Sequence, residues 1–394
     1  MKKLVLAYSG GLDTSYCLRS LFKEGYEVHA VSVNTGGFDT TELQEMETRA
    51  LALGAAHFNN IQALNSYYTK IVQYLLYGNV LRNGTYPLSV SAERIVQGLE
   101  IIAYAKSIGA AAIAHGSTGA GNDQVRFDMI FQILAPEISI ITPIRDQQLS
   151  RQEEIEFLKA EGFEMSWEKA KYSINKGLWG TSVGGDETLT SYKSLPEEAY
   201  PSQLKSQDSE TIQIGFEAGQ AVSLNGHQDN PVNIIQQLQA IAAPYAIGRD
   251  IHVGDTIVGI KGRVGFEAAA PLLLIKAHQL LEKHTLSKWQ LFQKEQMSQF
   301  YGMQLHEGHY LDPVMRDIEA FLLSSQKTVN GTVSVRLHPY RFELLGIESE
   351  QDLMQAKFGS YGEMNTAWNA EEAKGFIKIT ATAAKVYHAV NHNE

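Results

Sequence analysis

The chain has 394 residues, of which 44% are hydrophobic and 20% charged, so its composition is that of a globular protein with more than one domain. Its formal net charge of −11 argues against a nucleic-acid partner, because such a surface needs clustered lysine and arginine. A single cysteine, Cys17, excludes an intramolecular disulfide and a cysteine-based zinc site, and the lack of a long apolar run predicts a cytoplasmic protein with no membrane partner.

Short apolar segments alternate with segments of helical spacing from residue 1 to about residue 145, and the character of the sequence changes near residue 165. The predicted strands are Leu4–Ala7, Val28–Val33, Ala111–Ala114 and Ser139–Thr142. The predicted helices are about Thr14–Lys23, Thr40–Leu53, Asn65–Tyr77 and Ala92–Ser107. This alternation is typical of an α/β domain with a parallel sheet, whose ligands bind beyond the carboxyl ends of the strands. Two glycine-rich segments, Ser9–Ser15 and His115–Asn122, fall at such ends. The acidic run 153–156 predicts a solvated helix face.

Residues 166–365 have a different, α+β pattern. We expect a loop over Tyr172–Gly185, and then strands at Ile212–Phe216, Ala221–Leu224, Ile251–Val264 and, as a pair, within Val329–Leu345. One long helix is predicted over about Ala268–Gln299 and another over Pro313–Ser324. Residues 366–394 are helix-prone after a polar stretch, which predicts a C-terminal arm that docks on a neighbouring subunit. Three histidines, His306, His309 and His338, lack metal-ligand spacing and are expected to be surface or structural.

The first glycine-rich segment predicts a phosphate-binding loop. Gly10 and Gly11 let the backbone turn its N–H groups inward, and the following helix adds partial positive charge. Thr14 and Ser15 add hydroxyl donors, while Asp13 is suited to a magnesium ion that bridges phosphates. No lysine follows, so this is not the loop that binds a γ-phosphate. The pattern indicates an enzyme that splits ATP between the α- and β-phosphates and binds the pyrophosphate, although a plain strand-to-helix turn is the simpler alternative.

The second segment, His115–Phe127, predicts an amino-acid site next to the nucleotide. Its three glycines permit close approach of the backbone to a ligand. Asn122, Asp123 and Arg126 then offer an amide, a carboxylate and a guanidinium within about one helical turn. A carboxylate suits an amino group, and a guanidinium suits a carboxylate in a two-pronged contact.

These two segments resemble those of the argininosuccinate synthase family. Further stretches are similar to family motifs, namely Tyr86–Arg94, Tyr172–Asn175, Leu178–Ser182, Gly375–Ile377 and Tyr387–His388. The resemblance extends over the whole chain and is strongest before residue 185. It implies a parallel-sheet adenine-nucleotide alpha-hydrolase-like (PP-loop) domain at 1–165, an α+β synthetase and multimerisation domain at 166–365, and a C-terminal helical arm at 366–394.

The family reaction uses ATP to activate the ureido oxygen of citrulline, and the amine of aspartate then displaces AMP. By position, the resemblance implies ATP contacts at Ala7, Tyr8, Ser9, Gly10, Gly11, Asp13, Thr14, Ser15, Val33, Ala114, His115, Gly116 and Gly119. It implies aspartate contacts at Thr118, Asn122 and Asp123, and citrulline contacts at Tyr86, Ser91, Asn122, Arg126, Ser173 and Ser182. Asp13, Arg94 and Asp123 are the catalytic candidates. The resemblance implies that the protein is a ligase of arginine biosynthesis with ATP and Mg²⁺ as cofactors. It further implies that the partners are small-molecule substrates and that the protein assembles as a homotetramer.

Four positions depart from the family pattern. Ala120 replaces a lysine, Gly184 and Gly254 each replace a glutamate, and Phe266 replaces a tyrosine. A buried α-ammonium group needs a counter-charge, so these losses leave two substrate hypotheses open. Either another residue supplies the charge for free citrulline, or the α-amino group is acylated, for example acetylated or succinylated. A non-catalytic nucleotide-binding protein is a more remote alternative, which the intact Asp123 and Arg126 argue against.

Overall fold

A five-stranded, all-parallel sheet forms the first part of the chain in the computed structural model, which describes residues 1–163, 171–356, 361–363 and 367–392. The strand order is β3-β2-β1-β4-β5. The strands are β1 (Lys2–Ala7), β2 (Tyr26–Asn34), β3 (His57–Gln62), β4 (Ala112–His115) and β5 (Ser139–Ile141). The predicted parallel α/β fold is therefore confirmed. The proposed domain boundaries at 165 and 365 lie outside the described residues and stay predictions.

Helices cover both faces of this sheet. They are α1 (Leu12–Lys23), α2 (Thr40–Leu53), α3 (Leu64–Tyr67), α4 (Gln73–Tyr77), α5 (Glu93–Ser107), α6 (Asp123–Leu134), α7 (Pro143–Gln147) and α8 (Arg151–Ala160). A π-helical turn over Tyr68–Val72 joins α3 to α4. Successive β1 residues face opposite ways: Leu4 and Leu6 pack in one core with α1, whereas Val5 packs in the other. Cys17 is buried in α1, as expected, and burial raises the pKa of its thiol.

Two antiparallel sheets and four α-helices account for most of the described residues of the second part, which confirms the α+β pattern. One sheet has the order β10-β9-β8-β13-β14 and the other β11-β12-β7-β6. The strands are β6 (Ser173–Gly177), β7 (Gly180–Gly184), β8 (Glu210–Glu217), β9 (Gln220–Leu224), β10 (His227–Gln228), β11 (Arg249–Asp255), β12 (Lys261–Glu267), β13 (Gly331–His338) and β14 (Arg341–Glu348). The helices are α9 (Pro231–Ala242), α10 (Ala269–Thr285), α11 (Lys288–Glu307) and α12 (Pro313–Ser325).

Three predictions for this part were wrong in detail. The expected loop over 172–185 is the hairpin β6–β7, whose serine- and glycine-rich strands carry little β-propensity. The expected single helix over 268–299 is two helices, because Ser287 forms a capping box with Gln290 and starts α11. The expected strand over 251–264 is the hairpin β11–β12, which turns at residues 256–260.

The hairpin β6–β7 closes over the carboxyl end of β2. The Leu178 N–H donates to the Thr35 carbonyl over 2.9 Å, and the fully buried Trp179 donates from Nε1 to the Pro87 carbonyl over 3.0 Å. Gly37 is required at this crossing, because a Cβ there would lie 2.4 Å from the carbonyl oxygen of Lys176. The second part of the chain is thereby held over the ligand-binding end of the parallel sheet.

Two further helices, α13 (Ala370–Thr380) and α14 (Thr382–Asn391), form the predicted C-terminal arm. Neither of these described helices buries a residue, although both are strongly amphipathic in sequence. Their exposed apolar side chains include Phe376, Ile379 and Val390. Among the described helices of the chain, none is long and apolar enough to cross a membrane.

Candidate active site

The carboxyl ends of β1, β2 and β4 open into a cavity of about 1220 Å³. In the parallel sheet, β1 has β2 on one side and β4 on the other, so the direction of strand order reverses between β1 and β4. This reversal is the position at which open α/β sheets bind ligands. The hairpins β6–β7 and β11–β12 line the opposite wall. The cavity thus lies between the two parts of the chain.

The predicted phosphate loop connects β1 to α1. Gly10 has a φ of +73°, and a Cβ there would lie 2.8 Å from Met46 Cγ, so both conformation and space require glycine. The Gly10 carbonyl accepts a hydrogen bond from Arg49. Gly11 caps α1 in an extended conformation without a side-chain hydrogen bond. The N–H groups of the first turn of α1 are therefore not satisfied by a capping side chain, as an anion site requires.

Asp13 lines the cavity in the first turn of α1 and lies against Glu154 of α8. Burial, together with the charge and hydrogen bond of Asp13, raises the pKa of Glu154 to about 8. The prediction of a solvated face over 153–156 was wrong at Glu154, which is buried; Glu153 is exposed and forms a capping box with Ser150. The carboxylate of Asp13 supplies the oxygen donors that Mg²⁺ prefers, so the residues present fit a magnesium ion bound to phosphates.

The second glycine-rich segment emerges beside the first, because Ala7 of β1 pairs with His115 of β4. A Cβ on Gly116 would lie 3.2 Å from the backbone of Asp13, so the two segments are in contact. His115 is buried, and its Nε2 lies 2.8 Å from a carboxylate oxygen of Asp128. Burial would raise the pKa of Asp128, but hydrogen bonds from His115 and Arg145 outweigh it and lower that pKa.

Four charged side chains form a cluster in the cavity wall. Arg94 donates from Nε to Asp123 over 2.9 Å and from Nη1 to Glu93 over 2.9 Å. Arg126 donates from Nη1 to the other oxygen of Asp123, also over 2.9 Å. Burial opposes ionisation of Asp123, but these two guanidinium groups lower its pKa to about 2. Asp123 is therefore a carboxylate at neutral pH.

Glu93 was not among the predicted site residues, although it directly precedes Arg94. It is buried and accepts a hydrogen bond from Thr35 over 2.8 Å. Burial raises its pKa to about 7, against the opposing effects of Arg94 and Thr35. This cluster therefore contains one carboxyl group that stays ionised, Asp123, and one that titrates near neutral pH, Glu93.

Most of the predicted site residues lie in the wall of this one cavity. They are Ala7, Tyr8, Ser9, Gly11, Asp13, Thr14, Val33, Tyr86, Ser91, Arg94, His115, Gly116, Thr118, Asn122, Asp123, Arg126, Ser173, Ser182 and Gly254. Seven others lie outside its lining, namely Gly10, Ser15, Ala114, Gly119, Ala120, Gly184 and Phe266. Phe266 is fully buried beside Tyr86, with ring centroids 5.4 Å apart.

Two of the lining residues hold the second part of the chain in place. The side-chain oxygen of Asn122 accepts from the N–H of Ile257 over 2.9 Å, which fixes the turn of hairpin β11–β12. Arg126 is buried and donates to the carbonyl of His306 from Nε over 3.0 Å and from Nη2 over 2.8 Å. The guanidinium of Arg126 is therefore hydrogen-bonded both to Asp123 and to the backbone of His306.

The wall at Gly254 contains two imidazoles, those of His252 and His306, which were not among the predicted site residues. A Cβ at Gly254 would lie 2.7 Å from His252 Nε2, so the glycine makes room for that ring. His252 stacks on Tyr86 with centroids 5.0 Å apart, and its buried Nδ1 has no hydrogen-bond partner among the described residues. Burial and the charge of Arg82 lower the pKa of His252. His306, expected at the surface or in a structural position, is buried in this wall, and burial and Arg126 lower its pKa to about 3.

A glycine-rich loop at the reversal point of a parallel sheet, with a charged cluster beside it, is the arrangement of a nucleotide-binding α/β enzyme. The family models for the arginosuccinate synthase N-terminal HUP domain and C-terminal domain match residues 3–164 and 172–387. The chain belongs to the argininosuccinate synthase family, whose members are ligases.

Full-length relatives support this assignment. The chain is 36% identical to an argininosuccinate synthase of Methanocaldococcus jannaschii over 97% of both chains. It is 35% identical to one of Xanthomonas axonopodis pv. citri over 99% of this chain and 95% of the relative. It is also 36% identical to an argininosuccinate synthase of Pyrococcus furiosus over 96% of this chain and 92% of the relative.

Proposed function

We propose that this chain joins a citrulline-type ureido amino acid to aspartate at the expense of ATP, in a step of arginine biosynthesis. The ureido oxygen attacks the α-phosphate, pyrophosphate leaves, and the aspartate amine then displaces AMP to give an argininosuccinate-type product. The observation that carries this proposal is the contact between the phosphate loop and the segment bearing Asp123, both in one cavity.

For the first step, the chain provides an anion site and little covalent chemistry. The uncapped start of α1 would face the phosphates, and Gly10 and Gly11 would let the backbone approach them. Asp13 would hold magnesium, which, when bound, neutralises charge on the leaving pyrophosphate. Thr14 and Ser15 would add hydroxyl donors. Catalysis of this kind depends mainly on positioning and electrostatics.

For the second step, Asp123 is suited to hold the ammonium group of aspartate, with Thr118 and Asn122 as neighbours. Because the pKa of Asp123 is about 2, this carboxylate is a weak base and would position the ammonium without removing its proton. Glu93, whose pKa is about 7, is the better-matched acceptor for that proton. On the ureido side, we propose contacts at Tyr86, Ser91, Ser173, Ser182 and Arg126.

The proposal is tested by measuring pyrophosphate release from ATP with aspartate and citrulline. We expect release to require the ureido substrate, and Asp123→Asn to raise the KM for aspartate at least tenfold while leaving the KM for ATP within about threefold. Asp208→Asn, an exposed carboxylate distant in sequence, is the matched control and should behave as wild type. Equal aspartate KM values for the two variants would refute the role of Asp123.

An α-N-acylated citrulline is the second candidate substrate, favoured by the wall at Gly254. This wall presents His252 and His306, both with lowered pKa values, in place of a carboxylate. The adjacent Asp255 also lines the cavity but is ion-paired with Lys261 over 2.7 Å, so a free α-ammonium group would have to compete with that lysine. An acyl carbonyl, in contrast, would suit a neutral imidazole donor. Comparing kcat/KM for citrulline, N-acetylcitrulline and N-succinylcitrulline decides between the candidates. A higher value for free citrulline would exclude the acyl hypothesis.

We also propose that the protein is a cytoplasmic homotetramer held partly by its C-terminal arm. Within one chain, none of the described residues of the arm is buried, and side chains such as Phe376 and Ile379 are 70% and 75% exposed. Apolar surface of this kind normally lies against a partner. Light scattering on the full chain should give four copies, and the double variant Phe376→Asp with Ile379→Asp should give a smaller assembly. An unchanged mass would contradict the role of the arm.

A further inference from the structure

A cluster of two histidines and a glutamate lies at the end of the parallel sheet opposite the cavity. Glu27 and His29 are near the start of β2, and His57 is the first residue of β3. His29 and His57 are paired in register on neighbouring strands, and Glu27 precedes His29 by two residues. Because side chains alternate along a strand, all three project from the same face of the sheet. Their ligand atoms lie within 4.8 Å of one another.

The spacing of these atoms is close to that of a metal site. His29 Nε2 lies 3.3 Å from Glu27 Oε1. Zinc–ligand bonds of about 2.0–2.1 Å in a tetrahedron place neighbouring ligand atoms roughly 3.3 Å apart. His57 is exposed and stacks obliquely on His29 with centroids 4.6 Å apart, so a rotation of its ring can bring its nitrogen into the same sphere. The pair His29–Glu27 therefore already has the separation that two zinc ligands need.

Tyr104 orients the buried histidine for this role. Its hydroxyl lies 3.0 Å from His29 Nδ1. Without a metal, Nε2–H donates to Glu27 and Nδ1 accepts from Tyr104; a metal at Nε2 would displace that proton, and Nδ1–H would then donate to the Tyr104 oxygen. Burial lowers the pKa of His29, although Glu27 opposes this effect. The neutral imidazole is the form that binds metals.

We propose that Glu27, His29 and His57 bind a divalent transition-metal ion of the zinc class. Two imidazoles and one carboxylate favour zinc over magnesium or calcium, which take mainly oxygen ligands. His57 is exposed and the Glu27 side chain is 30% exposed, so a fourth position would be open to water. Such an ion would hold the edge strand β3 against β2, so its expected effect is on stability. The site is independent of the ligase reaction and of ATP.

The test is calorimetric titration of the metal-free, untagged full chain with zinc chloride in the absence of nucleotide. The exposed arm carries a competing pair, His388 and His392, with ring centroids 4.9 Å apart. We therefore take His388→Ala as the reference protein. We expect it to bind one zinc ion at micromolar concentration or tighter, and further replacement His57→Ala to weaken binding at least tenfold. His227→Ala, which removes an exposed histidine of β10, is the matched control and should bind as the reference does.

Thermal unfolding gives an independent measurement. Zinc should raise the Tm of the reference protein and leave that of its His57→Ala variant unchanged, because only a ligand that prefers the folded chain stabilises it. Equal zinc affinity with and without His57 would overturn the proposal, and so would loss of all binding in His388→Ala alone. Circular dichroism establishes that each variant is folded. Full displacement of zinc by millimolar magnesium would also contradict a nitrogen-rich site.

Discussion

The two neighbouring carboxyl groups at the phosphate loop, those of Asp13 and Glu154, predict an affinity for ATP that depends on pH. Glu154, with a pKa of about 8, holds its proton at pH 7.5 in most molecules, so only Asp13 adds negative charge beside the loop. At pH 9 roughly nine in ten molecules would have lost that proton. At a separation of about 10 Å, a second carboxylate would repel one unit of phosphate charge by about 1–2 kcal/mol at an effective dielectric constant near 20. Because the protonated fraction of Glu154 falls from about three-quarters at pH 7.5 to about one-tenth at pH 9, the KM for ATP should rise about three- to sixfold.

The assay is pyrophosphate release at saturating magnesium, with the KM for ATP measured at pH 7.5, 8.2 and 9. Glu154→Gln keeps the shape of the side chain and a donor toward Asp13 but cannot ionise, so its KM should stay within about twofold. Glu156→Gln alters an exposed residue of the same helix and should retain the wild-type rise. A flat wild-type profile, or an equal rise in Glu154→Gln, would refute the reasoning.

Two other predictions concern the loop and the core. Gly10→Ala and Gly25→Ala both place a Cβ at positive φ, which should cost about 1–2 kcal/mol of stability in each variant. Of the two, only the Cβ at position 10 would meet a neighbouring side chain. Steady-state kinetics should therefore show a raised KM for ATP in Gly10→Ala and not in Gly25→Ala. Lys294→Ala leaves Glu282 buried without its ion pair, now 2.9 Å long, and should lower the free energy of unfolding by about 3–5 kcal/mol. Lys374→Ala breaks the exposed ion pair with Glu371 and serves as the control, so its Tm in thermal scans should change little. An equal fall in Tm for Lys294→Ala and Lys374→Ala would contradict the argument that burial makes the first pair important.

The sequence predicted the features that depend on local pattern. Apolar runs and helical spacing located four of the five parallel strands, and α2 was predicted at its observed bounds. The missed strand, β3, has the sequence His-Phe-Asn-Asn-Ile-Gln and lies at the sheet edge, so it lacks the apolar run of a buried strand. The phosphate loop was recognisable because its glycines, acid and hydroxyls are contiguous.

The features that the sequence did not predict depend on packing between distant segments. Glu154 reaches Asp13 because α8 packs on α1, which no local pattern records. His252 enters the cavity wall because hairpin β11–β12 places it on Tyr86, more than 150 residues earlier. His306 lies in the same wall because its backbone carbonyl accepts a hydrogen bond from Arg126. Gly254, singled out in the sequence as a changed position, lies in this wall, and its missing Cβ makes room for the ring of His252.

The central claim is that the cavity splits ATP into AMP and pyrophosphate to join a ureido amino acid to aspartate. Its most direct test is product analysis of the purified full chain with ATP, aspartate and a citrulline-type substrate, followed by mass spectrometry and nucleotide separation. We predict AMP and pyrophosphate in equal amounts, with one argininosuccinate-type product formed for each ATP consumed. Release of ADP and phosphate, or nucleotide binding without any ligated product for citrulline and its N-acyl derivatives, would contradict the account.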